Sequence, residues 1–155
     1  MGLFRKNKLD LKIERYNYKP GEIVKGSFYI DLKKTYEVRK IQVSLIGRRK
    51  ERYTDAEGET QYHFVNVYEF PLPIAPEGKY QYQQFHFEIK IPTAILEQCD
   101  QPIDYNPDTT LGKIAEFSRA MSTNRTYPVE WLIEAQLDIP MRIDMTKSHK
   151  IIISL

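Results

Sequence analysis

The residues of this chain with the widest chemical reach are three histidines, one cysteine and a tight run of cations, and their spacing argues against most chemistry. His63, His86 and His149 are far apart in sequence. None sits in the HxH or CxxC spacing that assembles a metal site locally, so solvated or packed imidazoles are the ordinary reading. Cys99, the single cysteine, needs a nearby base to act as a nucleophile, and its flanks Glu97 and Asp100 disfavour the thiolate. Asp55 with Glu57, and Asp104 with Asp108, fall in turn-like stretches where carboxylates solvate and cap. Gly112-Lys113 lacks both the upstream glycine and the downstream Ser or Thr of a phosphate-binding loop. Asn124-Arg125-Thr126 has the form of a glycosylation acceptor, expected to be idle without an export signal. No catalytic residues, cofactor site or metal site are expected.

What remains is binding chemistry. Arg48, Arg49, Lys50 and Arg52 place four cations within five residues at the end of an apparent strand. Such a run can meet an acidic tail, a phosphate or an anionic membrane surface, although short basic runs are commonly just solvated faces and Glu51 interrupts this one. Tyr62, Tyr68, Tyr80 and Tyr82, with Phe64 and Phe70, add aromatic rings of the kind that suit interfaces or cover the second face of a sheet.

Composition narrows the class further. With 23 Lys plus Arg against 21 Asp plus Glu, the net charge of +2 is too small and too mixed for a nucleic-acid footprint. At 155 residues and 41% hydrophobic, one domain with one core is the default. A lone cysteine excludes an intramolecular disulfide and fits a reducing compartment. No apolar run approaches a membrane span, and MGLFRKNK lacks the apolar stretch of a signal peptide, so a cytoplasmic location is expected. Gly2 sits where a myristate attaches, but Lys6 stands where the acceptor pattern wants Ser or Thr.

The elements that would position these residues read as strands. Leu9, Leu11 and Ile13 alternate with charged neighbours, the period of a strand buried on one face. After a turn at Pro20-Gly21, Val24, Gly26, Phe28, Ile30 and Leu32 share a face, with mid-strand Gly26 predicting a bulge or a close backbone approach. A charged link then leads to Ile41, Val43 and Leu45, a strand that can run on to Tyr53. The turn Asp55–Glu59 separates it from a strand over 62–70. Pro71, Pro73, Pro76 and Gly78 predict an extended connection along an edge. Phe85, Phe87, Ile89 and Ile91 form the next strand, closed by Pro92. A long loop follows, with a helical turn near 94–98 and a short helix or irregular loop over 111–121. Val129 through Ile139 and Ile151 through Leu155 supply the last strands. About eight strands and at most two short helices predict an all-β, two-sheet antiparallel sandwich of immunoglobulin-like type.

The order of these pieces resembles a known family. Tyr16-x-x-x-Pro20-Gly21-Glu22, Val24-x-Gly26 and Ile41-x-Val43-x-Leu45-x-Gly47 look like the N-terminal arrestin domain. Glu77-Gly78-Lys79-Tyr80 before Phe85-x-Phe87-x-Ile89-x-Ile91-Pro92, and the run Pro128 to Pro140, resemble later strands of the same domain. The resemblance spans roughly residues 8–154 and looks closer to the microbial arrestin-like proteins, including the sporulation-control type, than to visual or β-arrestins. Arrestins usually join two such sandwiches, so residues 1–155 are expected to form one arrestin-like domain, either alone or as half of a longer pattern. No phosphate-sensing lysine pair, polar-core carboxylates or clathrin-binding tail align, and those mechanisms are not carried over.

The resemblance implies a non-enzymatic adaptor or scaffold in intracellular regulation or trafficking, binding a protein or peptide and no nucleic acid. An open strand edge would capture the partner, helped by Arg48, Arg49, Lys50 and Arg52. The alternatives are a homo-oligomer built by edge-strand pairing, or a small-ligand carrier or enzyme using a pocket between the sheets near His63 and His86.

Overall fold

Strands that bury alternate residues must find a second apolar face, and the computed structural model of this protein supplies it with two sheets. It describes residues 6–100 and 128–155, with 98–100 by backbone alone. The elements in order are β1 (Lys8–Ile13), β2 (Asn17–Tyr18), β3 (Ile23–Val38), β4 (Lys40–Thr54), β5 (Thr60–Ala75), β6 (Gly78–Lys90), α1 (Ile95–Asp100), β7 (Val129–Asp138) and β8 (Met145–Ile153). One sheet runs β1-β3-β6, the other β2-β8-β7-β4-β5. All the pairings are antiparallel except the two-residue β2–β8 ladder, which is parallel. The all-β two-sheet sandwich read from the sequence is the architecture observed, with that short parallel edge as its exception.

The core lies between the sheets. Leu11, Val24, Phe28 and Ile89 from the smaller sheet meet Val43, Leu45, Ile133 and Leu137 from the larger, all nearly fully buried. Phe28 stacks on its cross-strand partner Phe85 with centroids 4.9 Å apart. Gly26 is explained by a close approach and not by a bulge, since the β3–β6 register runs through it unbroken from Val24↔Ile89 to Phe28↔Phe85. A Cβ there would meet the Lys12 carbonyl oxygen at 2.3 Å and the Phe87 ring at 2.7 Å. Where the two sheet edges meet, His149 on β8 places Nε2 2.5 Å from the Leu11 carbonyl oxygen of β1, so this ring nitrogen donates, and Tyr16 packs edge-on to the imidazole.

Two expectations are corrected. The charged stretch 33–38 is not a link but the continuation of β3, which absorbs the irregular spacing as a register shift between Asp31 and Tyr36. Pro71 and Pro73 lie inside a strand: among the described residues β5 is an edge strand with β4 as its single sheet neighbour, so a missing N–H can be tolerated on the other side. The predicted helical turn near 94–98 is α1. The Cys99 thiol, Gly2, the acidic pair Asp104 and Asp108, Gly112-Lys113, the stretch 111–121 and Asn124 lie outside what the structure describes.

Candidate functional site

The cation run sits on a hairpin that outgrows its sheet. The β4–β7 ladder ends at Arg49↔Val129, whereas the β4–β5 ladder continues to Thr54↔Thr60. Among the described residues, the chain from 50 to 64 is therefore a two-stranded ribbon extending beyond the sandwich. Asp55 closes its tip: the carboxylate accepts the N–H groups of Glu57 and Glu59 at 3.0 and 2.8 Å and the Gln61 amide at 3.2 Å. Gly58 takes the positive φ of 82° that the turn requires.

Strand geometry then divides the four cations. They lie within β4 and not at its end, so successive side chains point to opposite faces. Arg48, Lys50 and Arg52 share the outer face with Asn66, Phe64 and Tyr62, their partners across the ladder. Each of the first two leans one step toward the tip: the Arg48 guanidinium lies 4.4 Å over the Phe64 ring and the Lys50 ammonium 4.4 Å over Tyr62. Such pairs contribute about 0.5–1 kcal/mol each at exposed sites. Arg49 falls on the opposite face with Glu51 and Tyr53. There Glu51 lies 3.7 Å from His63, and the Tyr53 ring is edge-on to that imidazole at 4.9 Å.

The ribbon's root is held by charge and by shape. Glu130 on β7 meets Arg48 at 3.3 Å and Lys150 at 3.6 Å. Gly47 leaves room for the Trp131 ring, which a Cβ would meet at 2.6 Å, and Tyr68 packs edge-on to the same indole. On the outer face, Glu134 stands beside the buried cross-strand pair Ile46 and Leu132. Its burial, with a smaller push from Glu69, raises its carboxyl above the usual range against the pull of Arg48.

The ribbon presents cations laid over aromatic rings beside an edge of β5 that pairs with no other strand among the described residues. Tyr62 and Phe64 are each 48% exposed and Phe70 45%, so the apolar surface of this edge faces solvent. Carboxylates collect at the tip, where Asp55, Glu57 and Glu59 stand apart from the basic face. Of the sequence-predicted residues, Arg48, Lys50 and Arg52 come together with Tyr62 and Phe64, while Arg49 does not join them. The aromatic partners were legible as a tyrosine-rich stretch; their pairing with the cations needed the register across the turn.

Among the described residues, no pocket between the sheets brings His63 and His86 together. His63 is on the ribbon, His86 is on the smaller sheet opposite Ser27, and the space between the sheets is filled by the core. A groove of about 690 Å³ lies elsewhere, lined by Tyr16, Leu96, Val129, Trp131, Ile151 and Ile153 among others. Among the described residues no group of three or more His, Cys, Asp or Glu is placed to hold a metal ion. No described helix is long and apolar enough to cross a membrane.

Comparison with known proteins bears on the family. The family model described as arrestin (or S-antigen), C-terminal domain, matches residues 5–154. Among solved structures, the chain is similar to Spo0M, the sporulation control protein from Bacillus subtilis, with a TM-score of 0.59 at 20% identity over 98% of this chain and 51% of that one. The chain thus spans about half the length of that relative, and at this identity the likeness is one of fold. A second similar chain is the alkylpurine DNA glycosylase AlkC from Pseudomonas fluorescens bound to DNA containing an abasic site analog. At 12% identity and a TM-score of 0.34, over 95% of this chain and 30% of that one, it carries no argument. No curated protein matches the chain. The motifs from Tyr16 to Pro140 were likened to the N-terminal sandwich of arrestin, and the model that matches is that of its C-terminal one. Two sheets of the predicted kind and a family match over residues 5–154 give one conclusion: the chain belongs to the arrestin family.

Proposed function

We propose that the chain is a non-enzymatic, cytoplasmic protein-binding module of arrestin type, an adaptor or scaffold that captures an extended acidic segment of a partner on the β5 edge of the ribbon. The observation that carries this reading is the β4–β5 hairpin extending past β7, with an open edge and one face of Arg48, Lys50, Arg52, Phe64 and Tyr62. An added strand would pair its backbone with β5, and its alternate side chains would lie beside the cation-covered rings. Acidic residues at every second position would match the spacing of the three cations. Pro71 and Pro73 remove donors from the far end of β5, which confines strand addition to residues 60–70.

Fluorescence polarisation with extended peptides tests it: one with aspartate at alternate positions, its phosphoserine counterpart and a neutral control. Arg48→Glu/Lys50→Glu/Arg52→Glu is expected to weaken both acidic peptides roughly tenfold or more, a change of ~1.4 kcal/mol, with an unchanged thermal midpoint. Equal binding of neutral and acidic peptides would sink the reading. The exposure of Val67 and Phe70 on the same edge favours a second reading, a homo-oligomer joined through β5. Light scattering after size exclusion separates the two, because only the second predicts a dimer without peptide.

A further inference from the structure

The groove beside Trp131 is built on the inner face of the larger sheet, where β7 begins and β8 ends. Trp131 and Ile151 are partners across the β7–β8 ladder, and Val129 and Ile153 lie two residues along the same strands, on the same face. Trp131, Ile151 and Ile153 belong to the core. Three strands do not roof the whole of a five-stranded face, and α1 brings Leu96 to the wall of the space left over. The result is an apolar recess of about 690 Å³, inside the roughly 300–1,000 Å³ range of small-molecule sites.

Backbone pairing fixes the rim. The Ile152 N–H donates to the Tyr16 carbonyl at 2.8 Å and the Ser154 N–H to the Tyr18 carbonyl at 3.1 Å, which holds the end of β8 against β2. Tyr16, which lines the recess, is braced edge-on by His149. A recess held in this way needs little reorganisation to accept a ligand. Its charged lining residues are Glu130 and Lys150. They lie 3.6 Å apart, and Glu130 also meets Arg48 at 3.3 Å. Two cations share one carboxylate, so this trio carries positive charge in excess.

We propose that this recess binds a small amphiphile, an apolar chain ending in an anion, of the class of medium- and long-chain carboxylates. The chain lies along Leu96, Val129, Trp131, Ile151 and Ile153, and its carboxylate meets the Lys150 ammonium. Charge complementarity selects this occupant, because the excess cation disfavours an amine head group. The apolar walls in turn leave the hydroxyls of a sugar or nucleotide without partners, a cost that excludes such ligands. Each methylene taken out of water is worth roughly fourfold in binding, so affinity is set by chain length and the head group adds orientation. Nothing in this site depends on strand addition at β5.

Trp131 is the single tryptophan of the chain, so its fluorescence reports on this recess. Titration of the full chain with bromine-terminated undecanoate is expected to quench it saturably, since the bromine must come close to the indole. Octanoate, decanoate and dodecanoate should displace that probe, with affinity rising roughly fourfold per added methylene until the recess is full. Decanol should bind roughly threefold more weakly than decanoate, and Lys150→Glu should erase that difference. The Lys150 side chain is 69% exposed, so this variant tests the head group without disturbing the core. Leu96→Phe narrows the recess and should weaken decanoate roughly tenfold. Absence of saturable quenching, equal affinity for decanoate and decanol in the wild type, or a carboxylate preference that survives in Lys150→Glu would each overturn the proposal.

Discussion

The two ends of β4 handle the same ingredients, cations and large apolar side chains, in opposite ways. At the Arg52 end, each ring on the outer face has a cation laid across it, and the turn uses the residues its geometry favours: Asp55 accepting two backbone donors and Gly58 at a positive φ. At the Lys40 end, the cations gather on Tyr36, the apolar pair Met141 and Ile143 is left bare, and a methionine occupies the glycine position of a turn. About 40 Å separates Lys40 from Arg52 at ~3.3 Å per residue. The lesson is that local composition does not identify a surface. Pairing within the fold lays cations over the half-exposed rings of the ribbon, whereas the loop between β7 and β8 leaves its apolar pair uncovered.

The largest effect expected from breaking this comparison is at the ribbon's root. Gly47→Val places carbon atoms where the Trp131 ring lies 2.6 Å from an added Cβ, and Trp131 is buried in the core. The expected loss is ~3 kcal/mol or more in urea denaturation. Gly58→Val at the tip meets no atom within 4 Å, so only the left-handed backbone is penalised, at about 1–2 kcal/mol. Similar losses for the two variants would mean the Trp131 contact does not define the root.

Asp55→Ala comes next. It removes the acceptor for the Glu57 and Glu59 amides, at a cost of ~1 kcal/mol. The more telling readout is hydrogen exchange, in which protection should fall for residues 50–64 and remain in the β4–β7 ladder. Loss spread equally over both would show that the ribbon and sandwich open as one unit.

At the loop the sign reverses. Met141→Gly relieves a left-handed conformation worth about 1–2 kcal/mol while adding ~0.5–1 kcal/mol of unfolded-chain entropy. A net gain of ~0.5 kcal/mol is therefore expected in the same denaturation experiment. A destabilised variant would mean that Met141 makes contacts its exposure denies.

Much of this architecture is legible in residue order because period-2 alternation is a direct imprint of one-sided burial. Val24 to Leu32 and Val129 to Ile139 show the buried face without further information, and mid-strand Gly26 announces the approach of Phe87. What was not legible depends on register. Arg48, Arg49, Lys50 and Arg52 form one cluster on the line of the chain, but two faces once the strand is known to continue through them. Which rings they cover follows from Lys50↔Phe64, set by the length of the Asp55–Glu59 turn. Pro71 and Pro73 look incompatible with a strand until β5 is seen to have one sheet neighbour among the described residues. The turn at Met141 gave no signal of its type, since the residue that usually reveals such a turn is glycine.

The smallest effect concerns protons at the ribbon's root. Glu134 has a carboxyl raised above its unfolded value, by burial first and Glu69 second, with Arg48 opposing. Between those two values the folded protein binds the proton more tightly than the unfolded chain, so this group's contribution to stability falls as pH rises through that window. Glu22 carries the opposite sign. The Lys19 amide and then the Arg15 guanidinium lower its carboxyl, so its contribution is present above the ordinary carboxylate range and lost as pH falls through its lowered value. Glu134→Gln should therefore flatten the decline on the alkaline side of the carboxylate range while leaving the acid limb intact, and Glu22→Gln should blunt the acid limb alone. Because Arg48 opposes the shift of Glu134, Arg48→Ala should deepen the decline and move it to higher pH. Thermal midpoints across a pH series check all three, and an unchanged profile in Arg48→Ala would separate the ribbon's cations from the electrostatics of the sheet beneath them.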